Sequence, residues 1–236
     1  MACFQKMLLE QMLRSALSIA RSQARCLRAC TAPIVLLCPS RLMPGGAPQF
    51  QQPQRRNIWG WLNAIFNKVD ASRIDSVGPD RACAEWLLRC GAHFRWRSQP
   101  GWQTDYNSLP PGGSKKNYIE EINADNAAIM HIGFHHFRGL SSLRRIRFHY
   151  CGYLDDTGLR YLEYLSHSLE SLEISSCGNV TMDGLRHLAK LKALKELRLF
   201  DLPEVEDRAA CVRELKQLLP GCRISFPPPH QDERTK

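Results

Sequence analysis

The chain has 236 residues, enough for one hydrophobic core with a small second module. Its formal net charge is +9, but residues 1–57 carry eight basic side chains against one acid, whereas the rest of the chain carries 24 basic and 22 acidic groups. A nearly neutral body lacks the basic surface of a nucleic-acid-binding protein, so we expect no nucleic-acid partner.

Residues 1–57 have the composition of a mitochondrial transit peptide. Between Met7 and Cys30, apolar residues recur at helical spacing on a different face from four arginines, and an Arg-rich, acid-poor amphipathic helix is typical of such presequences. A disordered basic tail is the alternative. The apolar run Ile34–Leu37 is too short for a secretory signal, and no run of about 18 apolar residues predicts a membrane-spanning helix. We expect cleavage just after Arg55 and Arg56.

The next segment, 58–115, is predicted to be a small, mainly helical capping module that also associates with a membrane. In IWGWLNAIFNKV (58–69) the aromatic residues Trp59, Trp61 and Phe66 lie on or beside one helical stripe, opposite a polar edge that includes Asn63 and Asn67. Such a stripe suits a membrane interface or a membrane subunit, so these three aromatic residues are candidate binding residues. Packing of the stripe on the protein's own core is the alternative.

A second helix is predicted from Pro79, in its first turn, to Gly91, just past its end. It would bury four residues at three- and four-residue spacing: Cys83, Trp86, Leu87 and Cys90. A Pro-Pro-Gly-Gly turn follows at 110–113. We expect this aromatic module to cover the open end of the segment that follows, because the terminal units of a repeat array need a cover.

Residues 116–226 contain an internal repeat. CGYLDDTGLRYL (151–162) and CGNVTMDGLRHL (177–188) share six of twelve positions, and the surrounding L-x-x-L-x-L-x-x-C pattern recurs every 24 to 26 residues. This is the period of leucine-rich repeats. The sequence therefore predicts an α/β fold, a right-handed leucine-rich-repeat solenoid of about five coils of the cysteine-containing type. Residues 227–236 are predicted to be a disordered tail.

The outward residues of the predicted strands form a candidate binding surface on the concave face. Alternate strand residues point to the same side, which sets Arg147 between Asn123 and Glu173 of the neighbouring strands. A ladder of weak solvated ion pairs is one interpretation, and a polar protein-docking surface is the other. The candidate partner-binding residues of this concave face are Arg145, Arg147, Glu173, Arg198 and Phe200.

The repeat also stacks Cys151 and Cys177, because neighbouring strands lie about 4.8 Å apart. We expect buried free thiols, one of which can donate weakly to a backbone carbonyl, and a redox-active pair is the alternative. The cysteines show no zinc-site spacing. A histidine cluster at His131, His135 and His136 could ligate a metal, but no carboxylate pattern accompanies it. With no nucleophile, P-loop or dinucleotide motif, the chain is not expected to be an enzyme.

Five stretches carry a resemblance to a known family: WGWLNAIFNKVD (59–70), VGPDRACAEWLLRCGA (77–92), WQTDYNSLP (102–110), IMHIGF (129–134) and ISSCGNVT (174–181). Together they resemble the mitochondrial ATP synthase subunit s family, also called coupling factor B, over nearly all of 58–225. A sister group, the assembly factors of the distal membrane arm of respiratory complex I, shares the repeats and a sequence similar to DLPEV (201–205) but lacks the WGWLNAIF segment.

The resemblance implies a non-catalytic protein, peripheral on the matrix side of the mitochondrial inner membrane. It would associate with the membrane sector of ATP synthase and support proton-coupled ATP synthesis by blocking a proton leak. It also implies a divalent ion, with magnesium expected near Gly78 and Pro111, held by backbone oxygens and waters. Self-association into a homo-oligomer is a further expectation.

Two alternatives to this function remain: an assembly factor for the membrane arm of complex I, and a substrate-recognition module of a ubiquitin ligase. The second is disfavoured by the transit peptide and the absence of an F-box-like leader. Where the family is expected to have a C-x-C pair, this chain has His149-Tyr150-Cys151. Paired-thiol chemistry is therefore not carried over from the family.

Overall fold

A computed structural model of the chain describes residues 58–109 and 117–228, without the side chains of residues 58 and 59. The expected transit peptide, Pro111 and residues 229–236 of the expected tail lie outside this range. The boundaries proposed for the transit peptide, the capping module and the repeat segment stay predictions.

Three helices begin the described fold: α1 (Ile58–Asn67), α2 (Ala71–Val77) and α3 (Pro79–Arg89). Asp70 caps α2, since its side chain accepts a hydrogen bond from the backbone N–H of Arg73 at 3.1 Å. Gly78, at φ 89°, separates α2 from α3, and Gly91, at φ 84°, follows the end of α3. The predicted helix from Pro79 to Gly91 is thus confirmed.

A seven-stranded sheet runs through the fold in the order β2-β1-β3-β4-β5-β6-β7. The strands are β1 (His93–Trp96), β2 (Trp102–Gln103), β3 (Ile119–Asp125), β4 (Arg145–His149), β5 (Ser171–Ser175), β6 (Glu196–Phe200) and β7 (Arg223–Ser225). β3 to β7 are parallel neighbours in sequence order, whereas β1 pairs antiparallel with both β2 and β3. The expectation of a mainly helical front module is therefore incomplete, because its β1–β2 hairpin extends the sheet.

Each parallel strand leads back to the next through a short helical segment. The α-helices of these segments are α4 (Asp156–Tyr161), α5 (Met182–Arg186) and α6 (Arg208–Leu218). Single turns of 3-10 helix extend α4 and α5, and a longer one covers His131–Phe137. The predicted α/β alternation is confirmed, and the assignment of these units to the leucine-rich-repeat class stays a prediction.

The end of each of β3, β4, β5 and β6 is marked by a residue in the left-handed region. The four residues have φ between 49° and 54°: Asn126, Tyr150, Ser176 and Asp201. The amides of the first three donate to the last carbonyl of the next strand, over 2.9 Å from Asn126, 3.1 Å from Tyr150 and 3.0 Å from Ser176. This turn lets every chain segment leave the sheet in the same direction while its first amide stays hydrogen-bonded.

One continuous core joins the front helices to the repeat segment. A ladder of inward residues, Ile122, Ile146, Leu172 and Leu197, occupies one register of the sheet and is buried. In the front module Trp86, Phe94 and Trp96 are almost fully buried and join the same cluster. Because stacked units share this core, each strand is held at a fixed height beside its neighbours.

The predicted polar edge of α1 contains a buried residue. Asn67 has no exposed surface. Its side-chain nitrogen donates to the carbonyls of Asn63 and Ala128 at 2.8 Å each, and its oxygen accepts from the amide of Met130 at 2.9 Å and the indole N–H of Trp86 at 3.2 Å. Burial of this amide costs little because all its hydrogen-bonding groups are satisfied. The predicted polar edge of α1 is therefore in part a buried contact.

Within residues 58–109 and 117–228, no helix has the length and apolar character needed to cross a membrane.

Candidate docking face

The outward side of the sheet carries a continuous array of residues that are all polar except Phe200, here called the polar face. Its members are Glu121, Asn123, Asp125, Arg145, Arg147, His149, Ser171, Glu173, Ser175, Glu196, Arg198, Phe200, Arg223 and Ser225. Arg147 pairs in register with Asn123 on one side and Glu173 on the other, as predicted. Arg145, Arg147, Glu173, Arg198 and Phe200 thus lie on one face.

At the front edge of the polar face, one carboxylate is shared by two arginines. Oε1 of Glu121 lies 2.5 Å from Nη2 of Arg95 and 2.6 Å from Nη1 of Arg145. The Glu121 side chain is only 11% exposed, whereas that of Arg145 is 66% exposed. The carboxylate is therefore recessed behind the guanidinium groups that neutralise it, which satisfies a charge that would be costly to bury alone.

A second group of charges lies at the centre. The Nε of Arg147 donates to Oε1 of Glu173 at 3.0 Å, and its Nη1 lies 3.5 Å from Oδ2 of Asp125. Asn123 donates to the same Asp125 oxygen at 3.2 Å. The side chains of Arg147, Asp125 and Glu173 are 44%, 40% and 32% exposed. Because water screens the charges at such exposure, each ion pair contributes at most about 1 kcal/mol. The arrangement orients Arg147 more than it stabilises the fold.

On β6 the same asymmetry recurs. Arg198 reaches Oε1 of Glu196 through Nη2 at 3.0 Å and Nε at 3.1 Å. The hydrogen bond from Arg198 lowers the pKa of Glu196 below its usual value, so this carboxylate stays ionised. Arg198 is 60% exposed and Glu196 26% exposed. The polar face contains as many acidic side chains as arginines, but the arginines of these pairs are more exposed. A partner would therefore contact more guanidinium groups than carboxylates.

A groove of about 410 Å³ runs across the polar face. Its lining includes charged residues of β3 to β6 together with the exposed indole of Trp102 on β2. Phe200, at the carboxyl end of β6, is half-buried and lies outside this lining. The groove therefore joins an aromatic surface at the front edge to a row of arginines.

Sequence reasoning missed two residues that the hairpin places beside the polar face: Trp102, which lines the groove, and Arg95, which binds Glu121. The alternation in His93-Phe94-Arg95-Trp96 is the signal that could have found β1, because polar and buried residues follow one another with a period of two. Arg95 pairs with Glu121 in register, and Trp102 pairs with Arg95. A strand prediction at 93–96 would have placed both beside the polar face.

Helix α1 presents one of its predicted aromatic residues to the surface. Trp61 is exposed over about half of its surface, and Ile65 beside it is also exposed. Phe66 is partly buried and packs against the core. The side chain of Trp59 lies outside the described residues. The membrane- or partner-binding role of Trp59, Trp61 and Phe66 stays a prediction.

The stacked cysteines are free thiols buried in the core. Sγ of Cys151 donates to the carbonyl of Ala124 at 2.9 Å, and Sγ of Cys177 donates to that of Ser175 at 3.3 Å. The hydrogen bond with the Cys177 thiol and then burial raise the pKa of Cys151 well above its usual range. A protonated, buried thiol is a poor nucleophile. The stacking prediction is supported, and Cys151 is packed as a small hydrophobe.

The histidine cluster is divided among three different environments. His131 lies 3.0 Å from a carboxylate oxygen of Asp155, His135 lies 3.0 Å from the hydroxyl of Tyr164, and His136 stacks on Trp86. In the described part of the chain, no three His, Cys, Asp or Glu side chains are grouped as metal ligands would be. The three histidines do not form one site.

Comparison with known proteins adds to this geometry. The chain is 47% identical to human "ATP synthase subunit s, mitochondrial" over 174 residues, which cover 72% of this chain and 87% of the relative. The bovine and mouse proteins of the same name are 48% and 43% identical over the same shares. The chain belongs to the mitochondrial ATP synthase subunit s family. No model of a protein family matches it.

A more distant relative of the subunit s family also matches. The fruit-fly "Distal membrane arm assembly component 2" is 26% identical over 181 residues, which cover 72% of this chain and 63% of that protein. The order of similarity agrees with the motif analysis, which ranked subunit s above the complex I assembly factors. The resemblance stated from the sequence is confirmed.

Of the two residues expected near a magnesium ion, the structure describes only Gly78. The carbonyl of Gly78 accepts the amide of Ala82 at 3.1 Å as the first hydrogen bond of α3, which leaves one lone pair for a cation. Pro111 lies outside the described residues. Magnesium binding by Gly78 and Pro111 stays a prediction.

Proposed function

We propose that this protein is a non-catalytic, peripheral accessory subunit of mitochondrial ATP synthase. It associates with the membrane sector of the enzyme on the matrix side of the inner membrane and supports proton-coupled ATP synthesis by limiting a proton leak. The family supports the first statement, since the relatives at 43% to 48% identity are named as subunits of the mitochondrial ATP synthase. The leak-limiting role follows from the resemblance alone.

We interpret the fold as a right-handed leucine-rich-repeat solenoid. Five consecutive parallel strands, whose paired residues lie 24 to 27 positions apart and follow each other without a register shift within any pair of strands, support this class. Parallel strands joined through helices cross over in the right-handed sense in nearly all proteins. Repeat proteins of this kind bind partners on the exposed face of their sheet.

The polar face is the proposed docking site, and the partner segment is proposed to be acidic. The observation that carries this proposal is the difference in exposure between the two signs of charge. Arg145 and Arg198 project to solvent, while Glu121 and Glu196 are recessed behind them. Exposed guanidinium groups bind carboxylates through paired hydrogen bonds, and Trp102 adds an aromatic contact at the end of the groove.

The proposed membrane contact uses α1. Trp61 and Ile65 present apolar surface that the described core does not cover. An indole suits the boundary between headgroups and acyl chains, because it combines a large apolar surface with one N–H donor. Trp59 belongs to the same proposal through the sequence pattern.

A matched pair of double variants tests the docking site. Arg145→Ala with Arg198→Ala removes two exposed cations, and Glu121 keeps its bond to Arg95. Arg213→Ala with Lys216→Ala, both exposed on α6, changes the net charge equally. The tagged full chain would be crosslinked in mitochondria solubilised in mild detergent, and the co-purified subunits quantified. We expect the first variant to lower enrichment of ATP synthase membrane-sector subunits at least tenfold, and the control to retain it.

Two outcomes would overturn the proposal. Equal enrichment for both double variants would remove the polar face as the docking site. Enrichment of complex I membrane-arm intermediates, with ATP synthase at background, would assign the protein to complex I assembly instead, which the 26% identical relative makes the second candidate.

A further inference from the structure

The front module contains a cavity of about 250 Å³ that shares no residue with the groove of the polar face. Three of its lining residues, Ala82, Glu85 and Arg89, follow one face of α3. Tyr106 lines it from a single turn of 3-10 helix (Tyr106–Ser108), and His136 from the longer 3-10 helix His131–Phe137. A space of about 250 Å³ lies below the range of about 300 to 1,000 Å³ that is usual for pockets of larger organic ligands, so it suits a small molecule.

His136 is an unpartnered polar side chain in the wall of this cavity. It is 3% exposed, and neither of its ring nitrogens has a well-formed hydrogen bond to a described residue. The backbone of Lys68 lies near enough to raise the pKa of His136 slightly, but its geometry falls short of a hydrogen bond. Its ring is held parallel to the indole of Trp86, with centroids 5.1 Å apart. A buried imidazole without partners is costly unless something else supplies the missing hydrogen bonds.

The protonation state of His136 defines what the imidazole offers. Burial, followed by the charge of Arg89, lowers the pKa of His136 to about 4. The ring is therefore neutral near pH 7, with one N–H donor and one acceptor nitrogen. A ligand that accepts a hydrogen bond would satisfy the donor.

The cavity wall carries two carboxylates, Asp70 and Glu85, and two arginines, Arg73 and Arg89. Asp70 is exposed and accepts a hydrogen bond from the backbone N–H of Arg73 at 3.1 Å. Glu85 accepts hydrogen bonds from Arg73 at 2.7 Å and 3.0 Å and from Arg81 at 2.9 Å, and its negative charge is thereby neutralised. Arg89 lines the same cavity and is exposed, and no carboxylate of the described residues lies within 4 Å of its guanidinium. Its five donors are available to an anion.

We propose that this cavity binds a small anion, whose carboxylate or phosphate oxygens accept hydrogen bonds from Arg89 and from the N–H of His136. Arg89 supplies the charge at the exposed side of the cavity, and His136 supplies a donor at its buried side. The docking proposal neither requires this site nor assigns it a role. Its ligand class is a carboxylate or phosphate compound small enough to leave Tyr106 in place.

The test is a titration of the full chain, uniformly labelled with ¹⁵N, at pH 7 and constant ionic strength maintained with sodium chloride. Inorganic phosphate and sodium acetate are the two probes, and the side-chain nitrogen resonances of His136 are the readout. We expect a saturable shift with a millimolar dissociation constant for at least one probe. Saturation by phosphate alone or by acetate alone identifies the anion class.

Two variants of equal charge give the control. Arg89→Ala removes the arginine proposed to bind the anion and breaks no ion pair of the described residues. Arg97→Ala removes an exposed arginine outside the cavity lining. Arg89→Ala should weaken binding at least tenfold, and Arg97→Ala should leave it unchanged. No saturable shift with either probe, or equal dissociation constants in the two variants, would overturn the proposal.

Discussion

Replacing Asn67 with alanine should destabilise the protein far more than its place on the polar side of α1 suggests. The change removes four hydrogen bonds, three of which reach other parts of the chain at Trp86, Ala128 and Met130. Each buried donor or acceptor left unpaired costs about 1 to 3 kcal/mol. Taking the low end for three groups, the free energy of unfolding should fall by about 3 kcal/mol, a large fraction of a typical total.

Urea denaturation followed by tryptophan fluorescence measures this loss. Asn63→Ala is the matched control, because Asn63 lies one turn earlier on α1, is half-buried, and contributes only its backbone carbonyl to Asn67. Asn63→Ala should cost less than about 1 kcal/mol. Hydrogen exchange over 58–67 should accelerate in the Asn67 variant, since α1 loses the side chain that ties its end to the repeat segment.

The reasoning would be refuted if the two alanine variants had the same free energy of unfolding. It would also be refuted if Asn67→Ala lowered stability by about 3 kcal/mol while exchange over 58–67 stayed at the wild-type rate. Either result would mean that the amide of Asn67 does not fasten α1 to the rest of the fold.

Three further predictions concern pH, backbone strain and magnesium. Since the pKa of His136 is lowered to about 4 from its usual 6.5, the unfolded chain binds the proton first, and the free energy of unfolding should fall by up to about 3 kcal/mol as pH drops from 6.5 to 4. His136→Phe should flatten this part of the urea-midpoint profile, and an unchanged slope would contradict the burial argument. Tyr150 has φ 51° and is 58% exposed, and asparagine tolerates this left-handed conformation better than tyrosine. Tyr150→Asn should therefore raise the free energy of unfolding by about 0.5 to 1 kcal/mol in the same urea assay, whereas Tyr153→Asn should not raise it. A lower free energy of unfolding for Tyr150→Asn would contradict strain at this residue. If Gly78 belongs to a magnesium site, millimolar magnesium chloride should raise the melting temperature and EDTA should reverse this, and an equal rise with sodium chloride would exclude specific binding.

The sheet and its polar face were predictable because their signal is repeated. The strand pattern recurs in several registers, so the partners of Arg147 and the stacking of Cys151 on Cys177 followed from the spacing alone. Helix α3 was predictable because Pro79 and Gly91 mark its two ends. In each case a local chemical rule and the long-range contact point to the same structure.

The features that escaped prediction depend on contacts between distant segments. Nothing near Asn67 in the sequence indicates that Ala128 and Met130 supply its partners, so an amphipathic pattern assigns it to solvent. The pairing of Trp102 with Arg95 depends on a short strand of only two residues. The burial of His136 depends on packing against Trp86, 50 residues earlier in the chain.

The reversal of strand direction at β1 also limits how copies of this molecule could join end to end. β7 ends the parallel array with a three-residue strand, whereas the opposite edge of the sheet is β2, which has two residues and belongs to an antiparallel hairpin. A second copy that offered its β7 to this edge would find almost no backbone to pair with. Among the described residues, the front edge of the sheet therefore offers only a two-residue strand for head-to-tail strand addition.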